Sequence, residues 1–327
     1  MAVAVVGLIV ALAFTPLGIE AQQTRRIARI GFLSPSSPSD PRTRTFVEAF
    51  REGLRDLGWV EGENVTIEYR WAQERTERLL DLARELVRLN VDVVVAATSP
   101  AVQAAKRATV TIPIVMTNAG DAVATGFVAR IARPEANITG LSMMGGELIG
   151  KQMQILTEVV PNLSRVALLW NPTNSSNAPQ LRQAEDAVRA LGLRLYPLEV
   201  RGPDEIEGAF AAMTKDQPGA MIVLLDSMLV ANRARIVELA AKRHLPAIYG
   251  LTDFVKAGGL IAYGPNVSDM YRRAAAYVDK ILKGSKVADL PVEQPTTFEL
   301  IVNLGAAKAL GLAIPPSISA RADQLVQ

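Results

Sequence analysis

Seven short apolar runs along the chain end abruptly in hydroxyl, amide, carboxylate, Gly or Pro residues. They are IGFLSPSS (30–37), VVVAATSP (93–100), IVMTNAGD (114–121), ALLWNPTN (167–174), IVLLDSM (222–228), AIYGLTD (247–253) and LIAYGPN (260–266). A continuous apolar run bounded by turn residues, with amphipathic helical sequence between runs, is the pattern of a parallel strand covered on both faces. In open parallel sheets, ligands bind in the crevice beyond the carboxyl ends of the strands. The polar tips of these runs are therefore the candidate functional positions.

The intervening sequence predicts helices. Residues 42–57 carry a stripe of Phe46, Ala49, Phe50, Leu54 and Leu57 that stops at Gly58. Residues 64–71 alternate as a strand, and 74–90 form a second amphipathic helix through Leu79, Leu82, Leu86 and Leu89. A strand at 91–96, a helix opening at Pro100, a strand at 112–117 and a helix from 121 to 131 complete a first series. The Pro, Asn and Gly residues of 132–142 read as a crossover. A second series then follows: helix 147–160, strand 165–170, helix 177–191, strand 193–200, helix 204–216, strand 220–225, helix 229–243 and strand 246–249. A short helix at 252–257, a strand at 259–263, a helix at 269–283, extended segments in 291–303 and a helix at 304–311 close the chain. The pattern predicts an α/β protein of two similar doubly wound lobes joined by more than one crossing.

Length supports two domains of ordinary size, at 327 residues, and 49% apolar against 21% charged residues fits sizeable cores. With 35 basic and 33 acidic residues, the net charge of +2 offers no basic field for nucleic acid. Cysteine is absent, which excludes disulfides, thiolate chemistry and Cys-ligated zinc. The uncharged stretch 2–19, broken by Pro16 and Gly18, predicts a secretory signal peptide over 1–23, although no Lys or Arg precedes its apolar core. No G-x-G-x-x-G follows a strand, and neither a P-loop nor a G-x-S-x-G elbow is present. The one histidine, His244, sits at a predicted helix C-terminus, where a packing or capping role is the ordinary reading. These absences predict a protein that is not an enzyme and uses neither metal nor cofactor.

The tips themselves carry side chains that bind without reacting. Ser34, Ser36 and Ser37 follow the first run, and Thr98 and Ser99 the next, where hydroxyls beside a helix start suit a carboxylate. Thr98 or Ser99 also reads as the N-cap of the Pro100 helix. Asn118 and Asp121 follow the strand at 112–117, with Asp121 equally a helix cap, and Asn171 and Asn174 follow Trp170 in a turn that favours asparagine. Asp226 ends a very apolar run, where its charge could pair with a ligand ammonium group or cap a helix. Tyr249 and Tyr263 end the last two strands and could flank an apolar or aromatic guest. Together they predict a small polar or zwitterionic ligand.

Several segments resemble one family. These are R-I-G-F-L at 29–33, F-x-E-G-L-R-D-L-G-W-V-E-G-x-N-V at 50–65, T-I-P-I-V at 111–115, N-I-T-G-L-S at 137–142 and F-V-x-A-G-G-L-I-A-Y-G-P at 254–265. In this order they resemble the ABC-transporter substrate-binding proteins of the tryptophan/tyrosine uptake type, over roughly residues 27–322. The resemblance implies a type I periplasmic binding fold: two Rossmann-like lobes, three crossing segments and a ligand in the cleft between them. It implies one lobe of 27–140 plus 264–290 and another of 141–263 plus 291–327. Carried over, the cleft includes the Ser34–Ser37 loop, Thr98, Ser99, the Asn118–Asp121 loop, Asn171, Asp226 and Tyr263. Where the family has Asp-Pro, this chain has Asp121-Ala122. The expectation is a monomeric extracytoplasmic (periplasmic) receptor that takes a small molecule such as an amino acid. It would present its closed form to an ABC permease, with a sensor feeding a membrane kinase or chemoreceptor as the alternative.

Overall fold

The protein is described here by a computed structural model covering residues 27–134, 136–143, 145–213 and 217–327. The expected signal peptide at 1–23 lies outside these residues. The first lobe runs β1 (Ala28–Ser34), α1 (Pro41–Asp56), β2 (Val65–Trp71), α2 (Leu79–Arg88), β3 (Val93–Ala96), α3 (Thr98–Ala108), β4 (Ile114–Ala119) and β5 (Ile138–Ser142). The second runs α4 (Gly145–Val159), β6 (Arg165–Trp170), α5 (Asn177–Ala190), β7 (Arg194–Glu199), α6 (Ile206–Ala212) and β8 (Ala220–Val223). It continues through α7 (Ser227–Ala231), α8 (Arg233–Lys242), β9 (Ala247–Tyr249), α9 (Thr252–Lys256) and β10 (Ile261–Pro265). The chain then enters α10 (Val267–Leu282) and ends with β11 (Phe298–Asn303), α11 (Leu304–Ala309), α12 (Pro316–Ser319) and β12 (Gln324–Val326).

Among the described residues the strands form two sheets, ordered β2-β1-β3-β4-β5 and β12-β11-β10-β9-β8-β6-β7. All pairings are parallel except β10 with β11, which is antiparallel. The apolar runs become central strands because both faces are covered. In the first sheet, Leu33, Val94 and Met116 pack under α2 and α3, while Phe32, Val95 and Val115 meet α1 and α10. Phe50 on α1 is fully buried there, a burial that contributes about 1.5–3 kcal/mol. In the second sheet, Leu168 and Ile222 face α4 and α5, and Leu169 and Val223 face α6 and α8.

Helix α1 begins where the sequence has its signals. Asp40 accepts from the Arg42 backbone N–H at 3.1 Å, and Pro41 takes the first helical position. Its apolar stripe packs on α10, although α10 follows a strand of the second sheet. Three segments thus pass between the sheets: β5 to α4, β10 to α10, and residues 290–298 leading to β11. In the third, Glu293 exchanges backbone hydrogen bonds with Gly140 and Ser142 of β5.

Three expectations fail. Residues 121–131 form one turn rather than a helix: Thr125 N–H returns to Asp121, but Phe127 and Val128 N–H both fold back to Ala122 O. Gly126 stands at φ 69°, a left-handed conformation that ends the helical winding, and Phe127 and Val128 beyond it turn into the core. The crossover expected at 132–142 contains β5, whose run ITGLS is interrupted by Thr139 and Gly140 and so lacks the continuous apolar character of the central strands. The helix expected at 229–243 is also divided, into α7 and α8 at Asn232.

Candidate functional site

Both sheets reverse their order of connection at one point. In the first, β1 leads to β2 on one side and β3 lies on the other; in the second, β6 leads to β7 and β8 lies opposite. A crevice opens at each such point, beyond the strand ends. One chamber between the lobes takes its walls from these tips: Ser34 and Ser36 after β1, Thr98 and Ser99 after β3, Asn174 and Ser176 after β6, and Asp226 and Ser227 after β8.

On the first-lobe wall, Thr98 and Ser99 do not cap a helix that begins at Pro100. Helix α3 already starts at Thr98, with Ala97 in the cap position and no side-chain cap bond. The Ser99 hydroxyl instead accepts from Gly120 N–H at 2.8 Å, tying the loop after β4 to the start of α3. Thr98 stands at φ 70°, a left-handed conformation that costs a β-branched residue about 1–3 kcal/mol. Its N–H donates to the Asn118 side-chain oxygen at 3.1 Å, while its buried Oγ1 has no hydrogen-bond partner among the described residues. Asn118 also accepts from the Thr117 hydroxyl at 2.7 Å, and it lines the chamber with Ser36.

On the second-lobe wall, Asp226 is buried and caps α7, its Oδ1 accepting from Met228 and Leu229 N–H at 3.0 and 3.1 Å. Its Oδ2 accepts from Asn174 Nδ2 at 2.9 Å. An ionised carboxylate has about four lone-pair sites, so this one keeps capacity for a further donor. Next to it, the buried Ser227 Oγ has no partner among the described residues. Asn171 sits behind the wall: its side-chain oxygen accepts from Thr173 N–H and Oγ1 at 2.9 and 2.8 Å, shaping the turn that brings Asn174 forward. Asn174, not Asn171, lines the chamber.

The remaining walls come from helices. Arg42 and Phe46 lie one turn apart on α1, with the guanidinium 5.8 Å from the Phe46 ring centroid. Arg42 is also paired with Asp40 at 3.2 Å and is nearly buried. Phe46 stacks on Tyr271 of α10, centroids 5.2 Å apart. Burial pushes the Tyr271 phenol up to about 12, so it remains neutral and able to donate. The tip-based reading missed Arg42, Phe46 and Tyr271. The available signal was the position of Arg42 and Phe46 in the first turns of the helix following a polar tip.

Besides Asn171, three expected residues lie outside the chamber. Asp121 accepts from Val123 and Ala124 N–H at 3.0 and 2.9 Å, holding the turn that replaces the expected helix. Tyr249 is buried in the second-lobe core, stacked on Phe254 at 4.5 Å, and its phenol is raised by desolvation. Tyr263 stacks on Phe298 at 5.9 Å, and its backbone oxygen accepts from Gln152. Tyr249 ends β9, but Tyr263 lies in the middle of β10, and neither strand flanks the point between β6 and β8 where the second sheet reverses, which displaces both tyrosines. His244 follows α8 at φ 49° and lines a separate apolar cavity. Among the described residues no group of three or more metal-ligating side chains comes together, and no helix is long and apolar enough to cross a membrane.

The lobes touch at the chamber. A Cβ on Gly120, in the first lobe, would stand 2.4 Å from Ser176 Cβ of the second. Glycine at this position is required by the close approach.

Residues 38–326 match the sequence model of a family described as ABC transporter substrate binding protein. A tyrosine-binding protein of Clostridioides difficile is 24% identical over 265 residues, 81% of this chain and 76% of that protein. The structure of an ABC domain from Streptococcus pneumoniae in complex with L-Trp superposes with a TM-score of 0.85 at 24% identity, covering 91% of this chain and 99% of that one. A conserved domain protein of Vibrio cholerae gives 0.87 at 25% identity over 92% and 100% of the two chains.

Proposed function

Since the chain belongs to the ABC transporter substrate-binding proteins and has their type I periplasmic binding fold, we propose that it is the extracytoplasmic receptor of an importer. It closes its lobes on a small zwitterionic ligand and presents the closed form to an ABC permease. The ligand is an amino acid with an apolar or aromatic side chain. Export follows from residues 1–23 acting as a signal peptide, and the mature receptor works as a monomer without cofactor, recognising its ligand without transforming it.

The observation that carries this reading is a pair of buried hydroxyls without a partner among the described residues, Thr98 Oγ1 and Ser227 Oγ, one from each lobe on a single chamber. A buried polar atom without a partner is costly, and a ligand bridging the lobes supplies both partners at once. Such a guest binds both walls only when they are together, which is the differential affinity that drives closure. Asp226 suits an ammonium group, Arg42 a carboxylate, and Phe46 with Tyr271 an apolar body. The tyrosine-binding and L-Trp-bound relatives support an aromatic amino acid.

Isothermal calorimetry of the mature protein against the common amino acids tests the reading. Heat is expected with aromatic or large apolar members. No heat with any amino acid, Trp and Tyr included, rejects it.

A further inference from the structure

A second cavity adjoins the chamber and shares Arg42, Phe46, Leu251 and Val267 with it. It also lies between the lobes, with the first turn of α1 on one side and Arg233 and Lys256 on the other. Its floor is backbone: Gly264 and Gly250 approach so closely that a Cβ on Gly264 would meet Gly250 O at 1.9 Å. The cavity holds three cations, Arg42, Arg233 and Lys256, and two acids, Asp253 and Glu299. Of the acids, Glu299 accepts from Asn266 Nδ2 at 2.7 Å, and Asp253 sits in the first turn of α9. Arg42 is paired with Asp40. Arg233 is different: it is half-buried, its guanidinium donates to the Val230 carbonyl at 3.1 Å, and no carboxylate lies within ion-pair reach among the described residues. A fork of donors with spare capacity beside Lys256 is a site for a carboxylate.

We propose that this annex is an acid-recognising subsite and that the ligand range includes dipeptides with an apolar or aromatic first residue. This rests on the amino-acid reading above. The first residue occupies the chamber with its amine at Asp226, and the second extends the backbone by about 3.5 Å into the annex. There its terminal carboxylate meets Arg233 and Lys256. The carboxylate of a free amino acid stops at Arg42, at the junction of the two cavities.

Calorimetry with Tyr-Ala, its C-terminal amide Tyr-Ala-NH2, and free Tyr and Trp tests the proposal on the full mature protein and on Arg233→Gln. The free-acid dipeptide is expected to bind the native protein about tenfold or more tighter than its amide, a charge-assisted pair's worth. Arg233→Gln removes that preference and leaves the affinity for the free amino acid unchanged. If Tyr or Trp binds but acid and amide dipeptides bind equally, or neither dipeptide binds, the annex proposal is overturned and the amino-acid reading stands. Heat from none of the four overturns both.

Discussion

Thr98 is held in a strained conformation with its hydroxyl buried and unpaired, and the two costs point to the same role. Thr98→Val keeps shape and strain but removes the hydroxyl. Without ligand its melting temperature should match or exceed that of the native protein, because an orphaned polar atom is gone. Ligand affinity should fall by about 1–3 kcal/mol; equal affinity in both proteins removes Thr98 from the site. Asp226 serves structure and ligand together, since it caps α7 and accepts from Asn174. Asp226→Ala therefore costs about 1 kcal/mol of stability from the cap, and weakens an amine-bearing ligand by about 2–5 kcal/mol. The desamino analogue of the same ligand separates the two effects: its affinity should not change. The identities of Ser36, Thr98, Ser99, Asn118 and Asp226 at the chamber were legible because each follows an apolar run directly. Which of Asn171 and Asn174 reaches the chamber is not legible, because the turn between them cannot be read from residue types. One asparagine makes the turn and the other uses it.

The approach of the loop after β4 to the start of α5 is a contact between lobes, and Gly120 makes it possible. Gly120→Val should leave each lobe folded, with a melting temperature near the native one, while Ser176 keeps the cleft from closing. Ligand affinity should fall at least about tenfold, and small-angle scattering with saturating ligand should show a larger radius of gyration than the native complex. Ser176→Gly in the same chain should recover part of the loss; normal closure by Gly120→Val alone would show that the contact is not limiting. Most elements followed from period and caps, as in α1 with Asp40, Pro41 and the Phe46–Phe50–Leu54 stripe. The turn at 121–131 and the strand β5 did not. Their form depends on where Phe127, Val128 and the backbone of Glu293 find partners, and those partners are distant in sequence.

The third segment between the lobes is anchored at Glu293, whose backbone pairs with β5 and whose carboxylate pairs with Arg273 of α10. Burial pushes that carboxyl up, but the Arg273 guanidinium and the Tyr277 hydroxyl outweigh it and hold it below its usual range. A depressed folded value means that the contribution is present above the unfolded pKa and lost as pH falls through the folded one. Glu293→Gln should lower stability near about pH 7, by less than about 1 kcal/mol because the side chain is 44% exposed. The stabilities of the two proteins should converge as pH falls below the usual Glu range, and a difference that stays constant throughout the acid titration would exclude ionisation as the cause.

Local sequence determined that this chain alternates strand and helix in two series and that its strands end in polar side chains. Both follow from hydrophobic period, helix caps and turn chemistry, which act within a dozen residues. Which tips meet was decided by the tertiary structure alone. Strand order sets where each sheet reverses, and that order depends on pairings such as β1 with β3 and β6 with β8. It brings Thr98 and Asp226 to one chamber, carries Tyr249 and Tyr263 into the packing of the second lobe, and seats Arg42 and Tyr271 on either side of Phe46 from helices more than two hundred residues apart.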